Sequence, residues 1–255
     1  MPEGPLAGRH ALVTGGGRGL GRAIAETLTR RGASVTVVGR DQAALDEAVA
    51  AGAAAHGARA DVTRPDDIQA AVSDCAKVLG PVDILVANAG ANRSAPFART
   101  SPDDFRAMLD INLLGVIHAT QAVLPTMAER GSGRVVAIAS TAGLKGYAYV
   151  TAYVAAKHAV VGLVRALALE TAKTGVTVNA VCPGFADTDI VTSSIDRIVA
   201  KTGRSREAAL AELTRHNPQG RLVAPAEVAD AVAWLCGDEA RSVTGQAIAV
   251  AGGEV

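Results

Sequence analysis

Neither sign of charge prevails in this chain: 25 Lys and Arg balance 25 Asp and Glu over 255 residues. No basic face is expected for a polyanion, so nucleic acid is set aside as a partner. Cysteine is scarce, and Cys75, Cys182 and Cys236 are odd in number and far apart, which argues against a disulfide framework and for a reducing compartment. Each reads as a small core residue. The start, Met1-Pro2-Glu3-Gly4-Pro5, lacks the basic segment and apolar run of a secretory leader, and the longest apolar stretches are broken by charges such as Arg165. A cytoplasmic, soluble protein without a membrane contact is expected. The histidines, His10, His56, His118, His158 and His216, show no His-x-x-x-His spacing and have no cysteine pair beside them, so no metal site is expected. No linker, charge run or internal repeat divides the chain. With 49% hydrophobic residues it reads as a single domain over 1–255.

What is present is an alternation of short apolar runs and helical patterns. Strands are expected at Ala11–Val13, Val35–Val38, weakly at Ala58–Ala60, then at Ile84–Ala87, Val135–Ala139, Val176–Val181 and Ala247–Val250. Between them, Leu20, Ala23, Ile24 and Leu28 hold a helical stripe that Gly32 stops, and Ile68, Val72, Cys75 and Leu79 hold another that begins at Pro65. Ser101-Pro102-Asp103-Asp104 reads as an N-cap, a proline in the first turn and acids at the positive helix end, opening a long helix to about Arg130 with a kink at Pro125. Further helices are expected at Thr151–Thr174 and Pro225–Leu235. Such alternation predicts an α/β fold: a parallel sheet covered by helices on both faces.

Two motifs carry chemistry. Thr14-Gly15-Gly16-Gly17-Arg18-Gly19-Leu20-Gly21 lies between the first strand and the first helix. A glycine-rich turn there lets the backbone approach a pyrophosphate and presents the unpaired N–H groups of the helix start to its charge, so a dinucleotide site is expected. Further on, Tyr153 and Lys157 are four apart on a predicted helix, thirteen residues after Ser140 at the end of a strand. Positions i and i+4 share a face, so the Lys157 ammonium is expected to lower the Tyr153 phenol from its ordinary value of ~10 and make it a usable acid or base.

From Thr14 to Gly253 the chain resembles the short-chain dehydrogenase/reductases. Besides the glycine turn, Asp61-Val62 falls where that family contacts adenine and Asn88-Ala89-Gly90 follows the fourth strand. Asn112, Ser140, Tyr153 and Lys157 match the catalytic tetrad, while Pro183, Gly184 and Thr188 match the nicotinamide-side loop. Ala87 departs from the pattern, since many members have an asparagine there. The resemblance implies a single-domain Rossmann-type doubly wound parallel sheet of about seven strands. It also implies a hydride transfer in which Ser140 and Tyr153 hold a ketone oxygen and Tyr153 gives the proton. Lys157 would bind the nicotinamide ribose, and Asn112 would hold a water leading to solvent. In this light Gly15, Gly17, Arg18, Gly19, Leu20, Gly21, Arg40, Asp61, Val62, Asn88, Ala89, Gly90, Tyr153, Lys157, Pro183, Gly184 and Thr188 are expected around the cofactor.

Gly39-Arg40-Asp41 ends the second strand without an acid placed to hold a ribose 2′-hydroxyl, and the Arg40 and Arg18 guanidinium groups suit a 2′-phosphate, so NADP(H) is favoured. Asp41 turned inward would instead favour NAD(H). The stretches Ile138–Gly143 and Val181–Phe185 look most like those of 3-oxoacyl thioester reductases and polyketide ketoreductases. A dehydrogenase of a small secondary alcohol, hydroxy acid or cyclic ketone is the alternative, and a cofactor sensor without turnover a third reading. Specificity is expected from 91–96, 141–150 and a helical lid over 185–220, with Tyr147, Tyr149 and Phe185 lining a pocket and Ile190, Val191, Ile195, Ile198 and Val199 facing inward. Lys145, Arg130 and Lys173 would meet the phosphate of an acyl carrier. The helix bearing Tyr153 is apolar nearly all round, as is that bearing Met108, Ile111, Leu114 and Ile117, which predicts a homo-oligomer, a dimer or homotetramer.

Overall fold

Aliphatic runs that can be buried on both faces make parallel strands, and here they form one sheet. The computed structural model describes residues 4–255. Its strands are β1 (His10–Thr14), β2 (Ser34–Gly39), β3 (His56–Arg59), β4 (Ile84–Ala87), β5 (Gly133–Ile138), β6 (Val176–Pro183) and β7 (Ala247–Val250). They lie in the order β3-β2-β1-β4-β5-β6-β7, every pair parallel. All seven expected strands are present. The third starts two residues earlier than the sequence suggested, because its register is set by β2, with Thr36 opposite His56 and Gly39 opposite Arg59. The chain winds outward from β1 to β3 and then returns to β4, so a crevice opens between the carboxyl ends of β1 and β4.

On one face lie α1 (Gly19–Arg30), α2 (Gln42–Ala50) and α9 (Pro225–Cys236), which bury Ile24, Leu28, Leu45, Val228 and Leu235. The other face carries α3 (Pro65–Leu79), α5 (Gly115–Glu129) and α6 (Thr151–Thr171), with Ile68, Val116, Met127, Val160 and Val164 in its core. Each such side chain contributes about 1.5–3 kcal/mol by leaving water.

The long helix expected from Ser101 to Arg130 is divided. A capping box opens α4 (Pro102–Leu109): the Asp104 N–H donates to Ser101 Oγ at 3.2 Å and the Ser101 N–H to Asp104 Oδ2 at 2.9 Å. A π-turn at Asp110–Leu114 then separates α4 from α5. Pro125, where a kink is expected, lies inside α5. The Asn112 amide donates to the Met108 carbonyl at 3.0 Å, so the side chain takes part of the bonding that a regular turn would give to backbone.

The 185–220 segment holds α7 (Asp189–Thr202) and α8 (Arg206–Thr214). Val191 and Ile195 are buried with Ala209 of α8, and Phe185, Val199, Leu213 and Leu222 pack around them. The inward face of α7 is thus filled by α8. The side chains of Ile190 and Ile198, expected on that face, lie outside the described residues. The stretch Pro102–Glu129 and α6 are each long and apolar enough to cross a membrane by length and composition, and both lay one side on the sheet.

Candidate active site

The glycine turn runs from β1 into α1 at the mouth of the crevice. Gly15 (φ 67°) and Gly19 (φ 53°) have backbone that other residues resist. Close approach adds a second demand: a Cβ on Gly15 would lie 2.9 Å from Asn88 Nδ2, and one on Gly21 would lie 2.2 Å from the Gly15 carbonyl oxygen. Arg18 stands at the N-cap of α1 and offers no side-chain bond to the helix N–H groups, and no acid occupies the first turn. Those donors therefore have no capping side chain of their own, and the glycines around them leave room for close approach, a cradle that fits a pyrophosphate. Leu20 packs onto the adjacent core.

Opposite stands the loop after β4. Thr14 Oγ1 accepts the N–H groups of Asn88 and Ala89, both at 3.0 Å, and Asn88 Nδ2 returns to the Thr14 carbonyl at 2.9 Å. Thr14 and Asn88 thereby clip the two loops together across the crevice. Gly90 is where three groups meet: a Cβ on it would lie 2.7 Å from Asn112 Oδ1 and 3.7 Å from Lys157 Nζ. Asn112 is fully buried and engaged with backbone, donating to Ala91 O at 3.0 Å and accepting from Ala91 N at 3.3 Å.

Ser140 follows β5, and Tyr153 and Lys157 share one face of α6 beside it. Ser140 acts on the Tyr153 phenol in the direction of its ionised form, but burial outweighs this and pushes the phenol above its ordinary value. This corrects the expectation that Lys157 would lower it. The Lys157 ammonium lies over the Tyr153 ring, 5.7 Å from its centroid, and donates to the Ile138 carbonyl at 2.7 Å. Burial also pushes Lys157 itself down to about 8.

At the far end of the crevice Arg40 is exposed after β2, and its Nη1 is 3.7 Å from Asp61 Oδ2 after β3. Asp41 does not turn inward: it caps α2, its Oδ1 accepting the Ala44 N–H at 3.3 Å. Asp61 is held by Thr63, whose N–H and hydroxyl it accepts at 3.0 and 2.8 Å, and these bonds lower its carboxyl below the usual range. Val62 is buried against α5, where a Cβ on Gly115 would come within 2.9 Å of it.

Pro183 ends β6, Gly184 follows it, and Thr188 stands at the N-cap position of α7, its hydroxyl donating to the Ala186 carbonyl at 3.3 Å. A Cβ on Gly19 would lie 4.0 Å from Thr188 Cβ, so this loop folds back over the glycine turn. The structure also gives roles that the motifs did not: Thr14 of the glycine motif as the clip, the Ile138 carbonyl under Lys157, and Glu254, whose carboxylate accepts from the Tyr147 hydroxyl and pairs with Lys145 at 3.1 Å. Of the cations expected to meet an acyl carrier, Lys145 is thus engaged, and Arg130 is tied to Asp83 at 2.6 Å. Nothing in the spacing of Tyr147 and Glu254, 107 residues apart, signals their contact.

The family model of short chain dehydrogenases matches residues 9–198. The 3-oxoacyl-[acyl-carrier-protein] reductase FabG of Salmonella typhimurium is 38% identical over 247 residues, covering 96% of this chain and 97% of the relative. D-beta-hydroxybutyrate dehydrogenase of Cupriavidus necator is also 38% identical over 247 residues, covering 94% and 95%. The crystal structure of a single-substitution variant of actinorhodin polyketide ketoreductase with NADPH superposes with a TM-score of 0.92 at 40% identity, covering 96% of this chain and 97% of that one. With its crevice, glycine cradle and Ser140–Tyr153 pair, this chain belongs to the short-chain dehydrogenase/reductase family, oxidoreductases acting on CH–OH groups.

Proposed function

We propose that this protein is an NADP(H)-dependent ketoreductase whose substrate is a 3-oxoacyl thioester. The observation that carries the reading is the grouping of Ser140, just past the end of β5 where such folds bind ligands, with Tyr153 and Lys157 of α6, the Lys157 ammonium lying 5.7 Å from the Tyr153 ring centroid. The nicotinamide dinucleotide supplies hydride when bound. Backbone N–H groups of Gly17, Gly19, Leu20 and Gly21 would hold its pyrophosphate, with Gly15 shaping the turn while its own N–H donates to the Val38 carbonyl at 2.7 Å; Arg18 and Arg40 would hold a 2′-phosphate, and Asp61 and Val62 the adenine. Asn88, Ala89 and Gly90 on one side, and Pro183, Gly184 and Thr188 on the other, would flank the rest.

Ser140 donates a hydrogen bond to the ketone oxygen, and the protonated Tyr153 phenol gives its proton to that oxygen as it becomes an alcohol. Lys157 would hold the nicotinamide ribose, and Asn112 keeps the Ala91 loop in place. Commitment of Asp41 to its helix cap supports the 2′-phosphate, since that carboxylate is then not free to take a ribose 2′-hydroxyl. The α7–α8 segment acts as a lid in a soluble, cytoplasmic homo-oligomer. The similarity to D-beta-hydroxybutyrate dehydrogenase favours a second reading, an NAD(H)-dependent dehydrogenase of a small hydroxy acid.

A screen of NADPH and NADH oxidation over acyl thioesters, cyclic ketones and small keto acids separates the readings. Turnover of 3-oxoacyl thioesters at least tenfold faster with NADPH is expected. A preference for NADH and a small keto acid would favour the second reading, and cofactor binding with no oxidation by any ketone would overturn both.

A further inference from the structure

Glu254 presents a puzzle of cost. Its side chain is 1% exposed, yet one carboxylate oxygen, Oε2, has no hydrogen-bond partner and sits against the Gly184 backbone, where a Cβ would lie 3.2 Å away. An idle buried oxygen on a charged group costs about 1–3 kcal/mol or more, and an apolar residue would fill the space at no such cost. Stability alone does not explain a carboxylate here.

What Glu254 does is hold other groups. Its Oε1 accepts from the Tyr147 hydroxyl and pairs with Lys145, whose ammonium also donates to the Glu254 carbonyl at 3.2 Å. Thr141 donates to the Tyr147 oxygen at 2.6 Å, so the phenol is fixed from both sides. The Tyr147 ring then meets Phe185 edge-on at 6.1 Å and His216 at 5.8 Å, with Phe185 and His216 stacked 5.8 Å apart. These three rings come from the loop after Ser140, the residue after Gly184 and the turn just past α8. Thr141, which holds the Tyr147 hydroxyl, is next to Ser140 in the chain, and Phe185 is next to Gly184, so the Tyr147 and Phe185 rings stand on the two loops that flank the site.

We propose that Glu254, with Lys145, is a positioning latch that holds the Tyr147 ring as part of an aromatic wall of the substrate cleft and so sets ketone binding without touching the reacting atoms. The inference rests on the ketone-reducing reading above. Tyr147 is not a second proton donor: burial and the Glu254 contact push its phenol well up, and its proton is committed to the carboxylate.

The test compares wild type, Glu254→Ala, Glu254→Gln, Tyr147→Phe and the Glu254→Ala/Tyr147→Phe double variant. The substrate is the N-acetylcysteamine thioester of 3-oxobutanoate with NADPH. Glu254→Ala and Tyr147→Phe should each raise the thioester KM about tenfold, and the double variant no further, because both release the same ring. The kcat and the KM for NADPH should stay within about twofold in every variant. Glu254→Gln keeps an acceptor for Tyr147 and should restore the wild-type KM. Additive effects, a Gln variant as impaired as Ala, or a lowered melting temperature with unchanged KM would each overturn the latch. A second readout needs neither substrate nor cofactor. A near-ultraviolet difference spectrum at neutral pH should show the Tyr147 phenol band moved to shorter wavelength in Glu254→Ala relative to wild type, because the band of a donor phenol lies at longer wavelength when a carboxylate accepts from it, and superimposable spectra would also overturn it. If wild type fails to oxidise NADPH with the thioester, the substrate reading fails, and the difference spectrum still decides the contact.

Discussion

Around Tyr153 the surroundings favour the neutral phenol, since burial raises it and only Ser140 pulls the other way. The residue is therefore a proton donor through neutral pH. Ketone reduction should be nearly flat there, while alcohol oxidation, which needs the phenolate, should climb as the medium becomes alkaline. Paired pH profiles of the two directions check this, and a reductive rate that rises with alkalinity would contradict it. Tyr153→Phe should lower turnover by about 10²–10⁴-fold with NADPH affinity unchanged, as read by turnover and fluorescence titration. Lys157 carries a different signature. Its value of about 8 in the folded chain lies below the ordinary 10.5, so folding disfavours the ammonium. That penalty is complete below pH 8 and fades between 8 and 10.5. Urea unfolding of Lys157→Met should accordingly show its most favourable stability relative to wild type around pH 7 and a smaller difference around pH 9.5.

The loops and helix ends divide into those whose role could be read from spacing and those whose role could not. The glycine turn and the strand-end serine were legible because their chemistry depends on local backbone and on a strand or helix that the apolar periodicity reveals. The π-turn was not, since Asn112 completes it by bonding to Met108 and to Ala91, a partner 21 residues back. The sign of the Tyr153 shift was also hidden, because it follows from burial and from where Lys157 points, neither of which i,i+4 spacing determines. Likewise the inward stripe of α7 was visible as a stripe, but its cover, α8, was not. Gly15→Ala tests the turn: the added methyl meets Asn88 and Ala89 in a backbone conformation that disfavours it, so NADPH affinity should fall about tenfold or more by fluorescence titration. At the β2 end, Arg40→Asp should shift preference toward NADH in paired kcat/KM measurements. An unchanged ratio would place the phosphate contact elsewhere.

For the molecule as a whole, the unexplained surface is apolar. Leu169 on α6 is 81% exposed, Leu114 at the end of the π-turn 38% and Trp234 on α9 40%. A solitary Leu on a surface is ordinary, but α6 is apolar on more sides than the sheet covers. Sedimentation velocity should give the mass of a dimer or tetramer at micromolar concentration, and Leu169→Glu should reduce it; a monomer in both cases would leave that face without a partner.

The three thiols are distributed one to a layer: Cys75 under α3 on one face, Cys182 within β6, and Cys236 on α9 of the other, all buried. A maleimide dye added to the native protein therefore finds no ready target, and each adduct that forms with time records an opening of one slab of the sandwich. Mass mapping of those adducts would rank the slabs by how often they breathe, with no engineered label.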